Sequence, residues 1–240
     1  MIESQKAQRF IDSSTFLWHQ RFELGPGIIT PGVSDVGFLA NVSRLPEDLT
    51  GLSVLDVGTT NGGTAFLAEA RGAARVVAID IAPPEMFGIL QLIDVLQSAV
   101  EFRQSSIYEL GTTFAADEFD VVVCWGVLYH LRHPLLALDA LRSVSRDLLL
   151  LETAACPNAD QPVLQFFRKS ELGADPTNWF APTPAALAEM VESCGFCVEH
   201  LEAWPASHVE RAAVAARTTP GPPEWQMLSY EQPLHVRPMA

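Results

Sequence analysis

Val54-Leu55-Asp56-Val57-Gly58-Thr59-Thr60-Asn61-Gly62-Gly63 is the stretch on which the fold turns. A short β-branched run enters a glycine turn, and helical spacing begins at Thr64. Glycines permit positive φ and close backbone approach, and a helix starting there offers unpaired N–H groups to a carboxylate or phosphate. Open α/β sheets bind their ligands at this place, the carboxyl end of a parallel strand. The spacing separates ligand classes: a dinucleotide fingerprint G-x-G-x-x-G requires glycine where Thr60 stands, and the absence of G-K followed by Ser or Thr excludes a P-loop.

Working outward, Arg75 to Asp80 and Phe119 to Trp125 are further short apolar runs, and with Ser53 to Val57 they suit strands buried on both faces of a parallel sheet. Asp147 to Leu151 is compatible with a fourth strand, although leucine alone does not exclude a helix, and Val100 to Gln104 is a weaker strand signal. Helical spacing fills Thr64 to Arg71, Glu85 to Ala99 and Pro134 to Ser145, with Pro134 in a first turn where its missing N–H is no loss. Strand–helix alternation of this kind implies βαβ units. Before this core, residues 1–50 form an amphipathic stretch to about Leu17 and then a turn-rich segment, read together as a helical lid. The core itself spans 51–155. Residues 156–217 read as a Pro-rich substrate cover, a helix at Ala185 to Ser193 and two final strands, Phe196 to Trp204 and Arg211 to Arg217. The prolines of 218–240 argue against regular structure there.

The 240 residues carry a formal net charge of −14, which disfavours nucleic acid, because affinity for a phosphate backbone comes from Lys and Arg replacing counterions. No 7–15-residue apolar stretch occupies the N-terminus and no run is long enough to span a bilayer, so a cytoplasmic location is expected. Of the four cysteines only Cys194 and Cys197 are close, and a structural zinc site would need a second pair, so no metal is expected. Assembly with further copies of the chain is left open.

Asp56 two residues before Gly58, Gly62 four residues after it, and Asp80 closing the next strand resemble the first two motifs of class I S-adenosylmethionine-dependent methyltransferases. Thr60 departs from the family's middle glycine. The resemblance implies a Rossmann-like α/β fold: a mostly parallel seven-stranded sheet, helices on both faces, and the last strand antiparallel. It implies S-adenosylmethionine as cofactor and S-adenosylhomocysteine as product, held by Asp56, Gly58, Thr59, Asn61, Gly62, Asp80, Ile81, Ser106, Ile107 and Trp125. Asp80 would accept from both ribose hydroxyls, and Ser106 stands where the family contacts adenine.

Gly126-Val127-Leu128-Tyr129-His130, Leu151-Glu152-Thr153, Trp179-Phe180-Ala181-Pro182, Cys194-Gly195-Phe196 and Glu224-Trp225 narrow the resemblance. They are similar to the bacterial carboxy-SAM-dependent tRNA wobble-uridine carboxymethyltransferases and their methyltransferase-like relatives. That family holds the extra carboxylate with a tyrosine and cationic side chains. Tyr129 matches the tyrosine; only His19 or Arg21 stands near the lysine; Pro222-Pro223 replace the arginine before Glu-Trp. One contact of three, together with the charge, favours ordinary S-adenosylmethionine and transfer of a methyl group to an O or N atom of a small molecule, such as a specialised metabolite. The tRNA carboxymethyltransferase and a non-catalytic SAM-binding partner protein are the alternatives.

Methyl transfer is an in-line displacement, for which alignment supplies most of the acceleration and a general base assists a hydroxyl or ammonium acceptor. His130, after the fourth strand, is the first candidate base and His19 the second, since histidine titrates near neutrality. Glu152 and Tyr129 complete the catalytic candidates, Glu152 to bind an amine or hydroxyl of the acceptor and Tyr129 to donate to the acceptor or the cofactor. Trp18, Arg21, Trp179 and Phe180 are the candidate substrate walls.

Overall fold

A computed structural model describes residues 2–156, 161–206 and 209–221. Pro157, the Pro222-Pro223 substitution, Glu224-Trp225 and nearly all of the Pro-rich tail lie outside the described residues.

The central sheet contains β1 (Ser53–Val57), β2 (Arg75–Asp80), β3 (Glu101–Gln104), β4 (Phe119–Trp125), β5 (Ser145–Ala155), β6 (Phe196–Pro205) and β7 (Glu210–Thr218). Their spatial order is β6-β7-β5-β4-β1-β2-β3. Neighbours from β5 to β3 pair in parallel, while β7 runs antiparallel to both β5 and β6, as expected of the last strand. Leu148 to Leu151 lie inside β5 and not in a helix: their backbone pairs with β4 on one side and β7 on the other, and all four side chains are buried.

Helices cover both faces because alternate strand residues feed two cores. Leu55, Val57, Val77 and Ile79 pack with Leu138 and Leu141 of α6 (Pro134–Val144) and with Leu187 and Val191 of α7 (Pro184–Ser193). Val54, Val76 and Ala78 face the other way. They meet Ala65 and Ala68 of α3 (Gly63–Ala70), Leu92 of α5 (Ile89–Leu96), Ala7 of α1 (Ser4–Ser13) and Ala40 of α2 (Val36–Val42).

The helix expected over Glu85 to Ala99 is two helices. α4 (Pro84–Phe87) stops at Gly88, whose φ of 68° reverses the handedness before α5 begins. A Cβ on Gly88 would lie 2.3 Å from the Phe16 ring, so the break admits the N-terminal segment. That segment is only partly helical: after α1, Gln20–Arg21 pairs with Ser34–Asp35 and Glu23–Gly25 with Ile28–Ile29. After the core, Leu164–Phe166 and Phe180–Pro182 form a separate two-stranded sheet. Among the described residues no helix is long and apolar enough to cross a membrane. Cys124, Cys156, Cys194 and Cys197 are free thiols.

Candidate functional site

A cavity of about 340 Å³ opens at the carboxyl ends of β1, β4 and β5. Asp56, Gly58, Trp125, Tyr129 and Glu152 come to it from these strands and their loops, and His19 from the N-terminal segment. Arg211 completes the floor. β7 is antiparallel, so its first residues arrive where the parallel strands end, and Arg211 pairs bidentately with Glu152 (Nη2–Oε2 2.7 Å, Nε–Oε1 2.5 Å). The guanidinium also lies 4.8 Å over the Tyr129 ring. Glu152 is 1% exposed. An ionised carboxylate at that depth requires a partner, so Glu152 is engaged by Arg211 instead of standing free for an acceptor. The pair in turn raises the affinity of Arg211 for its proton.

The mouth is formed by α2 and β6. Phe38 and Trp204 meet edge to face, centroids 5.4 Å apart, with Val33 and Leu39 beside them. His200 Nε2 lies 3.1 Å from the Val42 carbonyl and ties the two elements together.

These residues replace the walls expected from sequence. Trp18 donates to Ser14 Oγ (2.8 Å) and packs on Phe10, Phe16 and Phe22, inside the N-terminal segment. Arg21 faces Asp35 across 3.9 Å on a second, outer cavity of about 620 Å³. Trp179 stacks on Phe166 under Arg132, and Phe180 packs on Phe166 as well, so these two rings anchor the cover. Apolar rings next to a larger apolar surface bury themselves there, and sequence alone does not say which surface is near. Arg211 did leave a signal: a guanidinium directly before the small, apolar run Ala212 to Ala216, at the start of a segment read as a strand.

The glycine loop differs in its contacts from the expected ligand cradle. Gly58 (φ 78°) lies against Val127, and Gly62 (φ 85°) against Ile89 and Phe66; a Cβ at either would come within 2.3 Å of a neighbouring side chain. The glycines therefore serve packing within the chain. The Asn61 amide is also consumed internally, since its four hydrogen-bond positions go to Leu17, His19, Gln20 and Phe87. At the start of α3, Gly63 N donates to Gln20 Oε1 (2.7 Å), which occupies one of the N–H groups expected to face a ligand.

Asp56 is buried and accepts from Thr59 Oγ1 at 2.6 Å. Burial, reinforced by the charge of Asp80, pushes its carboxyl up to about 7 against that hydrogen bond. Asp80 accepts from Thr60 N (2.9 Å, Oδ2) and Ala82 N (2.9 Å, Oδ1), leaving each oxygen a further lone pair. Ile81 is 75% exposed beside it. The Ser106 N–H donates to Glu109 in a capping box, and the Ile107 side chain is buried in the core. Position 107 thus offers its backbone alone.

His19 lies on the cavity wall. Burial and then the charge of Arg211 lower its affinity for a proton, outweighing Asp80. His130 stands one ring behind the wall, stacked 4.2 Å from Tyr129, with Nδ1 2.9 Å from Thr177 Oγ1. Its proton affinity is also lowered, chiefly by burial. Among the described residues no cluster of three or more His, Cys, Asp or Glu could hold a metal ion.

A parallel sheet extended by β5, an antiparallel β7 and β6, with its cavity over β1, β4 and β5, defines the class I methyltransferase fold. The sequence profile of the methyltransferase domain matches residues 34–201, and the chain belongs to that family. A curated relative, the tRNA U34 carboxymethyltransferase of Dichelobacter nodosus, is 34% identical over 156 residues, covering 63% of this chain and 47% of that protein. The chain thus spans about half the length of that relative. Among solved structures, the 4+2 cyclase SpnF superposes with a TM-score of 0.66 at 14% identity, over 90% of this chain and 93% of that one. The Burkholderia thailandensis 1,6-didemethyltoxoflavin-N1-methyltransferase, solved with 1,6-didemethyltoxoflavin and S-adenosylhomocysteine, gives 0.56 at 20% identity, over 77% and 76%.

Proposed function

We propose that the protein transfers a methyl group from S-adenosylmethionine to an O or N atom of a small-molecule acceptor. The cavity carries this reading. It is small, its mouth is apolar and aromatic, and the one guanidinium on its wall is already paired with Glu152. A phosphodiester would meet Asp35 at the mouth and a chain of net charge −14 around it. The Burkholderia thailandensis N1-methyltransferase was solved with 1,6-didemethyltoxoflavin bound.

The residues present fit the cofactor. Asp80 keeps free lone pairs for two hydroxyls, and exposed Ile81 offers an apolar face to a base. Thr60 Oγ1 and Trp125 Nε1 are buried with no hydrogen-bond partner, an arrangement that costs free energy until a polar ligand meets it. S-adenosylmethionine, when bound, supplies an electrophilic methyl group on a sulfonium. His19, neutral at pH 7, accepts the proton of the acceptor. Tyr129, held under Arg211, orients the acceptor. The Phe38–Trp204 pair gives the mouth an apolar, aromatic edge against which the acceptor can pack.

Calorimetry with S-adenosylmethionine, S-adenosylhomocysteine and carboxy-SAM tests the reading. Binding of the first two is expected; tight binding of carboxy-SAM alone would overturn it. A second reading, transfer of a carboxymethyl group as in the Dichelobacter relative, is favoured by Arg211 over Tyr129, a cation beside the tyrosine that would face the extra carboxylate. Binding of none of the three would overturn both transfer readings and the SAM-binding partner alike.

A further inference from the structure

The N-terminal segment and the glycine loop are joined through one side chain. Asn61 has no solvent exposure. Its Oδ1 accepts from the backbone N–H of His19 (2.7 Å) and of Gln20 (2.9 Å). Its Nδ2 donates to the carbonyls of Leu17 (2.8 Å) and Phe87 (2.7 Å). An amide has two donors and two principal acceptor sites, and here all four are filled. The neighbouring Thr60 holds φ at 46° while its N–H donates to Asp80, so the loop is anchored on its other side to β2.

A second set of contacts brings the segment to the same place. Gln20 Oε1 accepts from Gly63 N, and the Gln20 carbonyl accepts from Thr30 Oγ1 at 2.8 Å. Gly32 lies so close to that carbonyl that a Cβ there would stand 2.2 Å from it. His19 therefore stands at the cavity because its backbone is clamped on the loop, while its ring meets the Phe87 ring edge-on, centroids 6.4 Å apart.

We propose that Asn61 is a positioning residue which holds His19 at the reaction cavity and makes the imidazole's place depend on the conformation of the cofactor loop. The proposal deepens the methyl-transfer reading and rests on it for the role of His19. A loop that moves when ligand meets Asp80 and Thr60 would carry His19 with it, so cofactor site and base act as one unit. A mobile lid loosely covering the site would have no such coupling.

The test needs no acceptor and no cofactor. Amide hydrogen exchange of His19 and Gln20, and an NMR titration of the His19 ring assigned with His19→Gln, are measured on the full chain. In the wild type both amides are protected and the ring titrates below an ordinary histidine. Asn61→Ala is expected to speed exchange of both amides about tenfold or more, the loss of roughly one buried hydrogen bond each, and to move the ring's titration upward toward solvent-exposed histidine. Asn61→Asp keeps an acceptor for the two amides but sets its other oxygen against the Leu17 and Phe87 carbonyls where Nδ2 donated, so it should not restore the wild-type protection. Gly32→Ala perturbs the Gln20 carbonyl without touching the loop and should reproduce the Asn61→Ala titration shift. Unprotected amides in the wild type, or an unmoved His19 titration in the folded variants, would overturn the proposal. Because these readouts precede catalysis, they can succeed even where His19→Gln leaves turnover intact, an outcome that would sink only the assignment of His19 as base.

Discussion

Asp56 is 3% exposed at the carboxyl end of β1, and its carboxyl is pushed up to about 7 from an ordinary 3.8, mainly by burial. The folded chain therefore holds this proton more tightly than the unfolded chain. Ionising the group costs stability, and the cost is absent below about pH 4, grows as pH rises through the interval, and is complete above about 7. About 3 pH units at roughly 1.4 kcal/mol each give a cost on the order of 4 kcal/mol, an upper figure because water reaching the carboxylate would reduce it. Asp56→Asn is close to isosteric, retains an acceptor for Thr59 Oγ1, and does not titrate. Urea unfolding of wild type and variant from pH 4 to pH 8 isolates the effect, since every other titrating group is shared. The stability difference should shift toward the variant by about 1.4 kcal/mol per pH unit between roughly pH 4 and 7 and level off above. Parallel stability profiles would refute the argument that burial governs Asp56.

Three further outcomes follow from the same geometry. Glu152→Gln leaves the Arg211 guanidinium buried and without its carboxylate, so it should destabilise the fold by about 3–5 kcal/mol, with Glu152→Leu/Arg211→Met recovering most of the loss; equal losses in single and double variants, read by urea midpoints, would contradict this. Thr60→Gly removes a β-branched residue from φ 46° together with a buried unpartnered hydroxyl, and should raise stability by about 1 kcal/mol or more; a lower melting temperature would count against stored strain. Thr177 Oγ1 donates its one hydrogen to Asp175 Oδ1 at 2.7 Å, so it accepts from His130. Nitrogen NMR should find neutral His130 protonated at Nδ1 with Nε2 bare, and the other tautomer would break the chain of reasoning.

The sequence by itself determined the strands, their parallel core and the loop that closes β1. Short β-branched runs bounded by turns are too short for a stable helix of their own and suit strands buried on both faces, and that information is local. Asp56, Gly58 and Asp80 were legible for the same reason: their meaning lies in their distance along the chain from a strand end. Only the tertiary structure decided the cavity. Arg211 is 59 residues from Glu152 along the chain and reaches it because β7 inserts antiparallel beside β5. Phe38 and Trp204 meet for a similar reason, and Trp18, Trp179 and Phe180, equally aromatic in sequence, are drawn into other apolar surfaces. Even the glycines changed meaning: Gly58 and Gly62 make room for Val127, Ile89 and Phe66, and Asn61 reaches back to the chain's own N-terminal segment. Local periodicity records which way a side chain faces within its element. Which partner it finds there depends on how distant elements are brought together, and that is set by closing the sheet and packing both its faces.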